Sequence, residues 1–67
     1  MKNRIKVLRA EKNLSQDELA KAIKVSRQTI NAIENGKFNP SVKLAMKMAE
    51  LFGTNIEDIF TLEENDK

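Results

Sequence analysis

Apolar side chains recur along this chain at helical spacing almost from its first residue. Ile5, Leu8, Arg9 and Lys12 stand at i, i+3, i+4 and i+7, so "NRIKVLRAEK" predicts an amphipathic first helix. After Asn13 and Leu14 comes "SQDE", where Ser15 and Glu18 form a capping box. The serine hydroxyl takes an orphan helix amide and the Glu18 side chain reaches back. A second helix follows with Leu19, Ala20 and Ile23 inward, and it stops near Lys24. Ser26 caps a third helix over 27–35, and Gly36 ends it as a left-handed residue. "KFNP" is a connector in which Pro40 holds Asn39 extended. Ser41 caps a fourth helix, "VKLAMKMAELF", with Leu44, Ala45, Met48, Leu51 and Phe52 inward and Gly53 at its end. Asn55 with Asp58 opens a short fifth helix, "IEDIF". No strand is expected before residue 60, and "TLEENDK" is expected to trail off.

Helices joined by connections this short cannot all run antiparallel. About three residues between the second and third suit a helix-turn-helix crossing near 90–120°. Ala20 agrees, since a small side chain there lets the two helices approach closely. The expected fold is therefore all-α: a compact bundle of five short helices that contains a helix-turn-helix. Residues 1–62 form the domain and 63–67 an acidic C-terminal tail.

The third helix has two faces with different work. On a helical wheel at ~100° per residue, Ile30 and Ile33 point inward with Glu34 on their flank. Gln28, Asn31, Ala32 and Asn35 lie opposite, and Arg27 stands at the edge. Arg makes two hydrogen bonds to guanine, and Gln or Asn two to adenine, in the DNA major groove. A helix-turn-helix offers the N-terminal residues of its second helix to those base edges. Arg27, Gln28 and Asn31 stand where that geometry needs them. Glu34 needs a separate account, because an inward carboxylate costs several kcal/mol unless paired. Arg9 lies on the inward side of the first helix, so an Arg9–Glu34 ion pair is expected to staple helix one to helix three.

Charge strengthens the nucleic-acid reading. The formal balance is only +2, but residues 1–47 hold 11 of the 12 Lys and Arg against four acids, whereas residues 48–67 hold Lys67 against six. A basic first part suits a polyanion, and an acidic tail avoids it. Composition also excludes other classes. With no Cys there is neither disulfide nor thiolate zinc site, and with no His the commonest general base and metal ligand is gone. No Gly-rich phosphate loop is present, so no enzyme, catalytic residue, metal or cofactor is expected, and no small-molecule ligand is evident. No apolar run is long enough for a signal peptide or membrane span, and a reduced, cytoplasmic setting is the default.

These residues carry a resemblance. "QDELAKAIKVSRQTINAIEN", residues 16–35, closely resembles the helix-turn-helix of lambda-repressor-like regulators, the Cro/CI or XRE family. "LRAEKNLSQDELA", "IENGKFNPS" and "LAMKMAELFGTNIEDIF" match as well, so the likeness covers roughly residues 4–60. It implies a bundle of four or five helices that binds double-stranded operator DNA, usually as a symmetric dimer. By position it assigns base reading to Arg27, Gln28 and Asn31, and phosphate contacts to Gln16, Thr29, Asn35 and Lys37. Arg9 and Glu34 fall where many members have a structural ion pair. There are two departures. Lys24 occupies a turn position that is often Gly, and so must accept a left-handed or otherwise costly backbone. Ala32 stands where some members carry a longer base-reading side chain, which leaves a contact to a thymine methyl.

The function expected is a sequence-specific DNA-binding transcriptional regulator, a repressor acting on a palindromic operator. The alternative is a protein-interaction module on the same scaffold, such as an antitoxin. One recognition helix reads too few base pairs to single out a genomic site, so a homodimer is expected. Ile56 and Ile59 are expected to close the monomer core. Phe60 and Leu62 are the candidates for the two-fold contact, with "FTL" as a short extended segment.

Overall fold

In the computed structural model, which describes residues 1–66, the chain runs β1 (Lys2–Asn3), α1 (Ile5–Glu11), α2 (Gln16–Ile23), α3 (Arg27–Glu34), α4 (Val42–Phe52), α5 (Ile56–Ile59) and β2 (Phe60–Thr61). A single 3-10 turn follows over Glu64–Asp66. The architecture is the expected all-α bundle, with a minor two-stranded sheet added.

Local signals set where the helices begin. Ser15, Ser26 and Ser41 sit in extended backbone, and their hydroxyls accept from Glu18 N (3.0 Å), Thr29 N (3.1 Å) and Leu44 N (3.1 Å). At Ser15 the box is reciprocal, since its own N–H donates to Glu18 Oε1 at 2.9 Å. The fifth helix starts differently from expectation. Asn55 makes no side-chain cap; instead Thr54 Oγ1 donates to Asp58 Oδ2 at 2.9 Å.

One motif ends the first four helices. The chain turns left-handed at Asn13 (φ 56°), Lys24 (φ 61°), Gly36 (φ 73°) and Gly53 (φ 67°). After each turn the next amide reaches back five residues in the Schellman pattern: Leu14 N to Arg9 O (2.9 Å), Val25 N to Ala20 O (2.9 Å), Lys37 N to Ala32 O (2.9 Å) and Thr54 N to Ala49 O (3.0 Å). Asn tolerates this conformation and Gly adopts it freely. Lys24 takes it at a cost, as the departure from the family pattern implied.

Ile5, Leu19, Ile30, Ile33, Met48 and Ile59 are the most deeply buried side chains and bring α1 to α5 onto one core. Ala20, 2 % exposed, sits among them, and Ile56 packs at the periphery.

Three expectations are corrected near the chain ends. Asn3 and Arg4 are not helical. Lys2 and Asn3 pair antiparallel with Thr61 and Phe60, and Arg4 N donates to Ile59 O at 2.8 Å. Phe60, expected at a two-fold contact, is 8 % exposed and belongs to the monomer core, whereas Leu62 is 60 % exposed. Strand pairing explains the difference: Phe60 pairs with Asn3 and its side chain lies on the core, whereas the strand ends at Thr61 and Leu62 lies beyond it. Nor do residues 63–66 trail away. The Met1 amino group lies 3.0 Å from Asp66 Oδ2 and 3.3 Å from Glu63 Oε1. Hydrogen bonding to Asp66 and Glu63 raises the pKa of that amine, while the Glu63 N–H and then the amine lower that of Asp66. The contact therefore weakens as pH rises through the raised amine pKa and as it falls through the lowered Asp66 pKa. Lys67 of the expected tail lies outside the described residues.

The left-handed turns predict opposite responses. Lys24→Gly relieves a strain of about 1–2 kcal/mol, partly offset by the freer unfolded chain, and should raise Tm by about 2–6 °C. Gly53→Ala should lower it by about as much, because a Cβ there meets no atom within 4 Å and only the backbone angle is penalised. Thermal denaturation of both variants checks this; shifts of the same sign would contradict it.

Candidate nucleic-acid interface

α2 and α3 pack across the tight turn through Leu19, Ala20, Ile30 and Ile33, which leaves the other face of α3 to solvent. Arg27 and Gln28 are exposed at its N-terminal end, and their side chains make no hydrogen bond among the described residues. With Asn31 and Gln16 they line one concavity. A guanidinium and three amides are thus gathered at the start of a helix, in the size and polarity that base edges require.

Behind that surface stands a largely buried ion pair. Arg9 Nε donates to Glu34 Oε2 at 2.7 Å and Nη2 donates to Oε1 at 3.2 Å. Arg9 Nη1 donates to Leu14 O at 2.8 Å, which ties down the loop between α1 and α2. The side chains are 14 % and 3 % exposed, so the carboxylate is held in a largely dry site by a two-pronged partner.

The pair continues to the surface. Gln16 Nε2 donates to Glu34 Oε1 at 3.2 Å and to Asn31 Oδ1 at 3.3 Å, and Asn35 Nδ2 donates to the same Asn31 oxygen at 3.3 Å. Both N–H bonds of Gln16 are thereby engaged inside the protein. Its main-chain amide and that of Asp17 are first-turn donors with no partner within their own helix. Asp17 itself pairs with Lys21 at 3.3 Å.

The remaining expected residues divide. Lys37 is exposed. Ala32 is partly buried, with its carbonyl taken by Lys37 N. Thr29 shares a 2.9 Å hydrogen bond with Ser26 Oγ and so belongs to the helix cap. Asn35 shares a second concavity of mixed charge with Lys2, Glu63 and Asn65, and its Nδ2 is already engaged by Asn31.

Asn3 was not singled out from sequence. Its Nδ2 donates to Ile33 O (3.0 Å) and Glu34 O (3.4 Å), and its Oδ1 accepts from Ile5 N at 3.2 Å. One amide thus satisfies the C-terminal carbonyls of α3 and an N-terminal amide of α1. No local signal marks such a residue, because both partners are set by tertiary packing. Among the described residues no acidic cluster could hold a metal ion, and no helix is long and apolar enough to cross a membrane.

A tight α2–α3 crossing with a polar, amide-rich face on the second helix defines a DNA-binding helix-turn-helix domain of the class found in transcriptional regulators. The helix-turn-helix family model matches residues 5–59, and the chain belongs to that family, of Cro/CI type. It is 58% identical over 66 residues to an uncharacterized HTH-type transcriptional regulator of Methanocaldococcus jannaschii, covering 98% of this chain and 100% of that one. It is 46% identical over 66 residues to the uncharacterized HTH-type transcriptional regulator YgzD of Bacillus subtilis, covering 98% and 100%. Among solved structures it is similar to a hypothetical transcription factor NHTF from Neisseria, with a TM-score of 0.72 and 29% identity. That match covers 78% of this chain and 58% of the other.

The buried pair sets a test. Arg9→Ala strands the Glu34 carboxylate and should cost about 3–5 kcal/mol, against a total of about 3–10 kcal/mol for a chain of this size. Replacing both partners, Arg9→Met with Glu34→Leu, should leave stability near wild type or above it. Urea denaturation compares the two; an Arg9→Ala midpoint equal to wild type would show that the carboxylate is solvated.

Proposed function

We propose that this protein is a sequence-specific transcriptional repressor that binds a palindromic operator as a homodimer, each protomer laying α3 in a major groove. The observation that carries this is the set of exposed polar side chains, Arg27, Gln28 and Asn31, on the N-terminal half of α3. Arg27 and Gln28 are free to offer paired hydrogen bonds to a base. Ala32 brings a methyl toward that of thymine. The first-turn amides of Gln16 and Asp17, at the positive end of the α2 dipole, suit a phosphate, and Lys37 suits another. Gln16 then serves the phosphate through its main chain, while its side chain holds the surface together. Thr29 and Asn35 are weaker candidates for backbone contacts, for the reasons of geometry given above. Repression asks nothing more of the domain than occupancy, because bound protein excludes polymerase from the same DNA. The site of action is then the cytoplasm.

A two-fold operator needs recognition helices about 34 Å apart, and the protomer's longest extent of 31 Å is commensurate with that spacing. The contact needs exposed apolar surface. Leu62 meets that need, and Val42 and Met46 on α4 are exposed as well.

Selection from a random duplex library at a stated salt concentration tests the reading. Arg27→Ala and Gln28→Ala should each lose about 1–3 kcal/mol of discrimination at one base pair, whereas Lys37→Ala should weaken all sites and reduce the salt slope by about one. Site preferences unchanged in the first two variants would remove them as readers. Sedimentation tests the assembly. Leu62→Ser should weaken the dimer; an intact dimer in that variant, lost in Met46→Ser, would move the contact to α4.

A further inference from the structure

The hydrogen bonds on α3 bear on which base Asn31 can read. We propose that Asn31 acts as a hydrogen-bond donor alone and selects guanine over adenine, with Gln16 and Asn35 as the residues that position it. This rests on the DNA-binding function proposed above.

The orientation of the Asn31 amide follows from the network behind it. A carboxylate only accepts, so Glu34 requires donors from every neighbour. Arg9 supplies two, and Gln16 must turn its Nε2, not its Oε1, toward Glu34 Oε1. The same Nε2 faces Asn31, 3.3 Å away, so Asn31 must turn its oxygen toward Gln16. That oxygen also accepts from Asn35 Nδ2 at 3.3 Å. Reversing the Asn31 amide would set its N–H bonds against those of Gln16, which the Glu34 carboxylate holds as a donor. The relay therefore has one polarity, from Glu34 in the interior out to Asn31.

A carbonyl oxygen has two lone pairs, and both on Asn31 are engaged. What Asn31 turns outward is Nδ2, exposed and without a partner among the described residues. An Asn that pairs with adenine must offer its oxygen to N6 and its N–H to N7 side by side. Asn31 has no oxygen to offer. Guanine presents two adjacent acceptors, N7 and O6, and receives both N–H bonds; adenine's N6 amino group would oppose one of them. Thymine has one acceptor, O4, and cytosine offers a donor, so both rank below guanine.

The test is selection of bound duplexes by the wild type, Asn31→Ala, Asn35→Ala and the double variant Gln16→Ala/Asn35→Ala, each confirmed as folded by circular dichroism. The position read by Asn31 is the one whose preference Asn31→Ala erases. Guanine should be favoured there over adenine by about tenfold in the wild type. The double variant, with the Asn31 oxygen released, should bring adenine to near parity, and Asn35→Ala should move part of the way. The readout is a base ratio at one position, which a general loss of affinity or stability does not change. Adenine favoured in the wild type, or a guanine preference untouched in the double variant, would overturn the proposal. So would an Asn31→Ala variant that changes no position. A wild type that selects no duplex would instead remove the DNA-binding function on which the proposal stands.

Discussion

Glu34 is a carboxylate with 3 % of its side chain exposed, in a domain whose whole stability is a few kcal/mol. It can remain charged there only if donors meet it, and they come from two other helices: Arg9 on α1 and Gln16 on α2. Meeting that requirement fixes much else. α1 is held to α3, the loop before α2 is drawn in through Leu14 O, and the start of α2 is held against α3 beside the reading face. A packed apolar pair could hold the helices equally well. It could not impose a direction on the amides at the surface. The polar solution does, because each donor in the relay commits the next group to accept.

Where the sequence could be read correctly, the signal was local. Ser15 with Glu18, Ser26 and Ser41 mark helix starts, and Gly36 and Gly53 mark ends, through bonds made within a few residues. The wheel also distinguished the faces of α3, since 3.6-residue periodicity is a property of one segment. Lys24 was legible for a related reason: the turn demands a left-handed residue whatever stands there. At Asn55 a local rule misled. Thr54, one residue earlier, was an equally short reach from Asp58 and made the bond.

The features that escaped were set by partners distant in sequence. Lys2–Asn3 is too short for alternation to register, and it is a strand only through its pairing with Phe60–Thr61, where an extended segment was expected but not its partner. Phe60 was placed at the surface by counting apolar residues near the chain end, but the two-residue pairing turned it inward. The same holds for the site. Residue types and their face could be assigned from sequence, whereas the engaged donors of Gln16, the diversion of Thr29 into a cap and the saturated oxygen of Asn31 depend on which neighbours the fold brings within 3.3 Å.

The two ends of α3 are consequently treated in opposite ways. At its C-terminal end, helix carbonyls lack partners within the helix. Asn3 supplies one amide to Ile33 O and Glu34 O, and the turn at Gly36 supplies Lys37 N to Ala32 O. Asn3 is positioned for this by its pairing with Phe60, so the small sheet serves as an anchor for α3. The acidic residues that follow gather there too, with Glu63 and Asp66 against the Met1 amine. At the N-terminal end only the Ser26 cap intervenes, and Arg27 and Gln28 are left without internal partners. Internal hydrogen bonds and ion pairs are thus concentrated at one end of the helix, and unsatisfied donors at the other. That asymmetry suits the function proposed above: the end tied into the fold fixes the angle of the helix, and the open end retains hydrogen-bonding capacity that base edges could use.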